Sequence, residues 1–302
     1  MDFGALPNVD GVDFTLPPDP AGNASLLQGQ PQQLLAPYLG LPILADSGYQ
    51  GRLYPKGVKP RDQLRLYSQR FNTLEFNTTH YGIPKPETVD HWRESVPDTF
   101  RFCPKVPQVI SHTHNLATSH TDRDRFLQVI TRLGPTLGPL FIQFPPHFGP
   151  DRLSELLAFL EEWPQEVALT VELRDPDWFL PEAEAWATLM AALVDWKIGL
   201  VITDVAARRD VLHMALSTPY TLVRFNGYGL HPSDYERTQA WVMRLNSWAQ
   251  QGMHSFYFFQ HQHHPPNSLD MVTYMAREWN AGHPSQLTEP RLQNPGAQQS
   301  LF

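Results

Sequence analysis

Glu75 and Glu172 are the residues from which chemistry can first be argued. Each stands at the polar end of an otherwise apolar run. Two opposed carboxylates can act as acid and base, or as acid and nucleophile, when their surroundings separate their pKa values. The competing reading is charge balance, each carboxylate being neutralised by a buried cation such as Arg174 or Arg224. Arg174, Arg224 and Lys105 also suit an anion-binding rim, because arginine offers a planar fork to phosphate or carboxylate and lysine a mobile point charge. His112, next to Ser111 in a polar stretch, can shuttle protons or serve only as a hydrogen-bonding loop residue. Asn77, Gln143 and Asp204 would orient a ligand, and Trp178 would either stack on a ring or pack.

His261, His263 and His264 form the most conspicuous imidazole cluster, which Asp204, Glu75 or Glu172 could complete as a zinc or manganese site. Their spacing matches no firm metal signature, and Pro265-Pro266 marks a loop, so a solvated polar turn is the preferred reading and no metal ligand is assigned. The cofactor is left unknown, with a divalent metal open. A phosphate-binding glycine loop, a dinucleotide fingerprint and a Gly-x-Ser-x-Gly elbow are all lacking in the sequence. Cys103 lies in an apolar strand between Phe102 and Pro104 and reads as a buried structural thiol.

The elements that must position these groups follow from periodicity. In VALTVELRDPDWF, Val167, Leu169, Val171 and Leu173 alternate with Ala168, Thr170, Glu172 and Arg174, and a period of two sends these sets to opposite faces of a strand. Asp175-Pro176-Asp177 then stops it. Similar runs predict strands at 41–45, 71–77, 99–106, 140–144, 198–203, 221–225 and 255–259. Helical spacing predicts helices at 61–70, 86–94, 122–133, 151–163, 182–195, 233–250 and 268–279. Eight strands alternating with helices or long connections predict a single-domain α/β fold, a (β/α)8 TIM-like barrel. A doubly wound open sheet is the rival; polar residues ending nearly every strand favour a central mouth. Residues 1–36 read as a surface extension, 37–282 as the barrel and 283–302 as a flexible tail.

With 302 residues and 41% hydrophobic content, the chain can bury a large core. Its net charge of −8 makes unaided DNA binding an unfavoured reading. A single cysteine excludes an internal disulfide. The first residues, MDFGALPNVDGVDF, do not form a signal peptide, and no apolar run reaches transmembrane length, so a cytoplasmic protein without membrane contact is expected.

Several motifs together resemble the DUF72, or YecE-like, family over roughly residues 50–280. They are Tyr54-Pro55, FNTLEFNTTHY ending at Tyr81, FCPKVPQVISH ending at His112, LFIQFPP ending at Pro146, VELRDPDW ending at Trp178, and VRFNG ending at Gly227. The resemblance implies a TIM barrel of unassigned activity. Two departures fall at the expected mouth. LPILADSGY replaces a Gly-Thr-Ser-Gly-Trp-like first-strand segment, and Gln260-His261 replaces an asparagine pair. Gln298-Gln299-Ser300-Leu301-Phe302 resembles the peptide by which bacterial replication and repair proteins dock on the DNA sliding clamp. In that likeness Leu301 and Phe302 enter an apolar pocket and Gln298 bonds at its rim.

Two functional expectations follow. One is a barrel hydrolase or lyase acting on a small anionic substrate that bears phosphate or carboxylate, with Glu75, Glu172 and His112 in catalytic roles. The other is a DNA-repair or replication accessory, or nuclease-like protein, tethered to the clamp by its tail. A barrel that retains a pocket without catalysis is a third.

Overall fold

Eight runs largely buried on both faces become eight parallel strands, covered outside by helices and filled inside by their neighbours' side chains. The computed structural model describes residues 6–28, 35–180, 184–284 and 286–292. Its strands are β1 (Ala36–Leu41), β2 (Thr73–Phe76), β3 (Arg101–Pro104), β4 (Leu140–Gln143), β5 (Leu169–Glu172), β6 (Gly199–Asp204), β7 (Tyr220–Gly227) and β8 (Ser255–Gln262). Its helices are α1 (Ala21–Leu27), α2 (Pro60–Ser68), α3 (Pro86–Glu94), α4 (Gln108–Ser111), α5 (His120–Ile130), α6 (Leu153–Glu161), α7 (Glu184–Asp195), α8 (Pro232–Gln251) and α9 (Asn267–Gly282).

The strands run in the order β3-β2-β1-β8-β7-β6-β5-β4. Parallel bridges from Phe102 to Leu137 and from Lys105 to Phe141 join the two ends. Across that seam, Gly138 N donates to Phe102 O at 2.8 Å and Val106 N to Phe141 O at 2.9 Å. The result is a (β/α)8 TIM-like barrel, as the alternation of elements predicts.

The first strand lies earlier than the apolar run 41–45 suggests. Pro42 has no N–H for the ladder, so pairing ends at Leu41, and the strand is drawn from APYLGL, in which Pro37 and Gly40 mask the pattern. Gly40 is needed there because a Cβ at that position would fall on the Thr73 carbonyl of β2.

Alternation divides each strand between two cores. Outward-facing Leu39, Leu74, Phe102, Ile142, Val171, Ile202, Val223 and Phe258 pack under the helices. Inward-facing Cys103, Phe141, Val201, Leu222, Tyr257 and Phe259 fill the barrel, with Tyr38 stacked on Tyr257 at 4.6 Å between ring centroids. This plug is the floor on which the polar residues of the mouth stand.

α8 illustrates how the outer layer is terminated. Pro232 occupies its first turn, His231 caps it by accepting from Ser233 N, and Gly252 ends it at φ 113°. Its buried stripe Trp241, Leu245 and Trp248 faces the barrel. The extension wraps the same side: Trp248 Nε1 donates to Asp19 Oδ2 at 3.0 Å, Asn23 Nδ2 to Met214 O at 2.7 Å, and Tyr228 OH to Pro7 O at 2.6 Å. Beyond α9, Leu287 N donates to Asn280 Oδ1 at 2.7 Å, so residues 286–292 pack back on the helix. Among the described residues, no helix is long and apolar enough to cross a membrane.

Candidate functional site

Residues that end the strands converge at the carboxyl edge of the barrel, above Phe141. Inward parity brings Glu75 from β2, Gln143 from β4, Glu172 from β5 and Arg224 from β7. Lys105 and Asn77 follow directly after β3 and β2, and Arg174 stands two residues beyond the end of β5. Arg224 is the hub. Its Nη2 and Nε donate to Glu75 Oε1 at 2.8 Å and Oε2 at 3.1 Å, and its Nη1 donates to Glu172 Oε2 at 2.8 Å. One guanidinium thus ties together carboxylates that stand 97 positions apart in the chain, at 75 and 172. The planar fork permits this, and an ammonium could not match it.

The remaining contacts close the network. Arg174 Nε donates to Glu172 Oε1 at 2.6 Å, and Asn77 Nδ2 to Glu75 Oε1 at 2.8 Å. Lys105 Nζ donates to Gln143 Oε1 at 3.1 Å, and that oxygen also accepts from Arg224 Nη1 at 3.3 Å. His261 Nε2 donates to Glu75 Oε2 at 2.8 Å. The Arg224 guanidinium carbon lies 5.4 Å and Lys105 Nζ 6.0 Å from the centroid of Phe141. Three cations against two carboxylates leave the network one positive charge in excess when the histidines are neutral. Both carboxylates are buried, while Arg174, Arg224 and His261 keep a partial view of solvent.

These contacts set the protonation states. Burial alone would raise the Glu75 carboxyl, but Arg224 and then His261 outweigh it and hold it well below the usual range. Glu172 meets the same opposition of burial against Arg174, Arg224 and Lys105, and is brought down to about 2. Burial lowers Lys105 to about 8, helped by Arg224 and opposed by Glu172 and Glu75. Both glutamates are therefore anions at neutral pH, and Lys105 is the group poised to exchange a proton.

Two histidines flank the lysine. His112 Nδ1 lies 2.8 Å from Ser111 Oγ, and its ring centroid is 5.4 Å from that of His80. Burial, then Lys105, lowers His80 to about 4, and burial with Lys105 and Arg174 also lowers His112. Both imidazoles stay neutral at pH 7.

The structure gathers Glu75, Glu172, Arg174, Arg224, Lys105, Asn77, Gln143 and His112 at one opening. It does not bring Asp204 or Trp178 there. Asp204 faces outward from β6, where Arg237 Nη2 and Trp241 Nε1 of α8 each donate to it at 2.7 Å and Arg209 also pairs with it. Both faces of β6 are apolar, so its sequence carries no sign of which side meets the barrel axis. Trp178 is fully buried and donates Nε1 to Phe148 O at 2.7 Å, so it is packing and not a platform for a ring. Gln298, Leu301 and Phe302 lie outside the described residues.

The histidine cluster divides. β8 runs three residues beyond Phe259, and continued alternation through Tyr257 and Phe259 turns His261 inward onto Glu75. His263 instead packs edge-on against Tyr228, with ring centroids 5.5 Å apart. Among the described residues, no three His, Cys, Asp or Glu side chains are grouped so as to hold a metal ion. His80 carried no local signal beyond its place just after the second strand.

Residues 38–295 match the family described as "Protein of unknown function DUF72". The chain is 35% identical over 234 residues to the UPF0759 protein YecE of Escherichia coli K12, covering 70% of this chain and 82% of that protein. The YecE protein of Escherichia coli O157:H7 matches to the same extent. Among solved structures, a DUF72 family protein from Enterococcus faecalis V583 superposes with a TM-score of 0.64 at 18% identity, over 82% of this chain and 99% of that one. A DUF72 family protein from Thermotoga maritima MSB8 gives 0.62 at 18% identity, over 79% and 97%.

Proposed function

The chain belongs to the DUF72 family, and from that premise we propose that its barrel mouth binds a small anionic molecule bearing phosphate or carboxylate and hydrolyses or cleaves it. One observation carries this reading: Lys105, Arg174 and Arg224 converge with Glu75 and Glu172 at the carboxyl edge of the barrel, with positive charge in excess. Barrels of this kind place ligands at that edge. The roles follow from the protonation states. Lys105, at about 8, is the acid that gives its proton to a leaving oxygen. Glu172 is the base. An incoming anion competes with its carboxylate for Arg174 and Arg224, which raises a carboxyl now held at about 2 toward a value at which it can take a proton from water. Glu75, held by Arg224, Asn77 and His261, fixes the guanidinium in place, and neutral His112 relays protons at the rim.

The test is a thermal-shift titration with inorganic phosphate, sugar phosphates and small carboxylates, each with and without Mg²⁺, Mn²⁺ or Zn²⁺. Occupancy at a hundred times the Kd should stabilise the fold by about 2.7 kcal/mol. Glu172→Gln should keep the fold and change the response. No shift with any anion, under any metal condition, overturns the reading.

A second reading rests on the terminal Gln298-Gln299-Ser300-Leu301-Phe302. Docking of this peptide on a bacterial sliding clamp would concentrate the barrel on DNA without intrinsic affinity, which suits a chain of net charge −8. The intact protein and one lacking residues 298–302 should differ in binding to purified clamp; equal binding removes the idea.

A further inference from the structure

One buried polar group at the mouth is left out of the network. The Thr203 hydroxyl, on a residue 5% exposed, has no hydrogen-bond partner among the described residues. The other barrel threonines are satisfied across the strands: Thr73 donates to Arg101 O at 2.8 Å, Thr170 to Leu140 O at 3.0 Å and Thr221 to Leu200 O at 3.4 Å. Leaving a buried hydroxyl unbonded is costly, so a group that stays unbonded in the empty site points to a partner that arrives.

Its placement says what that partner is. Thr203 shares the inward face of β6 with Val201, which belongs to the barrel plug. It is the register partner of Arg224 on β7. On its other side, the β5–β6 register pairs Thr170 with Gly199 and Val171 with Leu200, and β5 ends at Glu172, two residues before Arg174. The hydroxyl therefore lies beside the Arg224 position, on the wall of the mouth whose neighbouring strand β5 leads into Arg174, and Lys105 joins the same mouth from just beyond β3. No acceptor of the protein's own has filled that place.

We propose that Thr203 is a binding residue for a phosphate monoester, its hydroxyl donating to a phosphoryl oxygen shared with Arg174 and Arg224. This rests on the anion-binding reading of the mouth and narrows it. Donors from β6 and β7 and from just beyond β3 and β5 surround the place from several directions. A tetrahedral group with three terminal oxygens presents acceptors in several directions and suits such an array, whereas the lone pairs of a carboxylate lie in one plane. The hydroxyl supplies a directed donor where a further cation would meet repulsion from Lys105 and the two arginines.

Calorimetric titration of the full chain with inorganic phosphate and with acetate, at fixed pH and ionic strength, tests the assignment on Thr203→Val and Thr203→Ser. Valine keeps the branched shape and removes the hydroxyl; serine keeps the hydroxyl. Thr203→Val should weaken phosphate binding by about tenfold to a hundredfold, as expected for a hydrogen bond to a charged group. Thr203→Ser should stay within about threefold of the wild type, and acetate should bind more weakly than phosphate. Without ligand, Thr203→Val should unfold at a temperature no lower than the wild type, because it removes an unbonded group. If the wild type binds phosphate and Thr203→Val binds it equally, the Thr203 assignment is wrong while the anion site stands. Acetate binding as tightly as phosphate overturns the monoester, and failure of the wild type to bind any anion overturns both proposals.

Discussion

Replacing Arg224 by methionine tests the arrangement most directly. The change keeps an apolar stem over Phe141 and removes the cation that bonds Glu75 twice and Glu172 once. Breaking a buried ion pair on one side costs about 3–5 kcal/mol, because a buried charge is left uncompensated. The Glu172 carboxyl supports that scale: a displacement from 4.5 to about 2 corresponds to about 3 kcal/mol, divided among Arg174, Arg224 and Lys105. Glu75 adds to it and keeps His261 and Asn77 as hydrogen-bond partners. For a chain of 302 residues, such a loss lowers Tm by about 5–8 °C at pH 7.

The pH dependence separates this cause from simple loss of packing. In the wild type both carboxyls are depressed, so their contribution is present above the unfolded value of about 4.5 and is lost as pH falls through the folded values. In the variant, burial is no longer outweighed at Glu75, and its carboxyl rises. Its protonated form is then favoured in the fold, and that benefit disappears as pH increases. The stability gap should therefore be widest at pH 7 and narrow toward pH 4.5. Urea unfolding followed by the fluorescence of the eight tryptophans, at pH 7, 5.5 and 4.5, measures it. Adding Glu75→Gln to Arg224→Met should recover about half the loss, and it provides the measurement if the single variant does not fold at pH 7. A gap below about 1 kcal/mol at pH 7, or one that is constant or grows toward pH 4.5, refutes the reasoning.

Three further outcomes are expected. Lys105→Met should raise stability at pH 7 by about 1–3 kcal/mol, with the gain fading by about pH 10.5. Burial lowers the folded amine to about 8, so its charged form penalises the fold only below the unfolded value; urea unfolding at pH 7 and pH 10.5 measures this. His80→Asn should flatten the decline of Tm between pH 6.5 and 4.5, because a half-buried imidazole lowered to about 4 takes up its proton more readily unfolded than folded. Asp204→Asn should cost up to about 3–5 kcal/mol by removing the nearer of two buried carboxylates at Arg237, Asp234 remaining at 3.6 Å, while phosphate affinity at the mouth stays within about twofold in titration.

The sequence by itself carried what is local. Period-two alternation places Glu172 and Arg174 on one face of a strand, Pro145 and Pro176 mark where strands must stop, and eight such runs between helical stretches lead to the barrel. Strand ends rich in Glu, Lys, Arg and Gln locate the mouth, and the DUF72 motifs lie at those ends. Other features were not legible because a strand buried on both sides is apolar on both. Ile202 and Val201 look alike in sequence, so nothing local shows that Asp204 turns outward to α8 while Thr203 turns inward to the mouth. The first strand was hidden by its own Pro37 and Gly40. Only the closed barrel decided that Arg224 joins Glu75 to Glu172, that His261 falls on Glu75 and that His80 and His112 face Lys105. Those residues are distant along the chain, and their charges and protonation states depend on neighbours that closure of the sheet alone brings into contact.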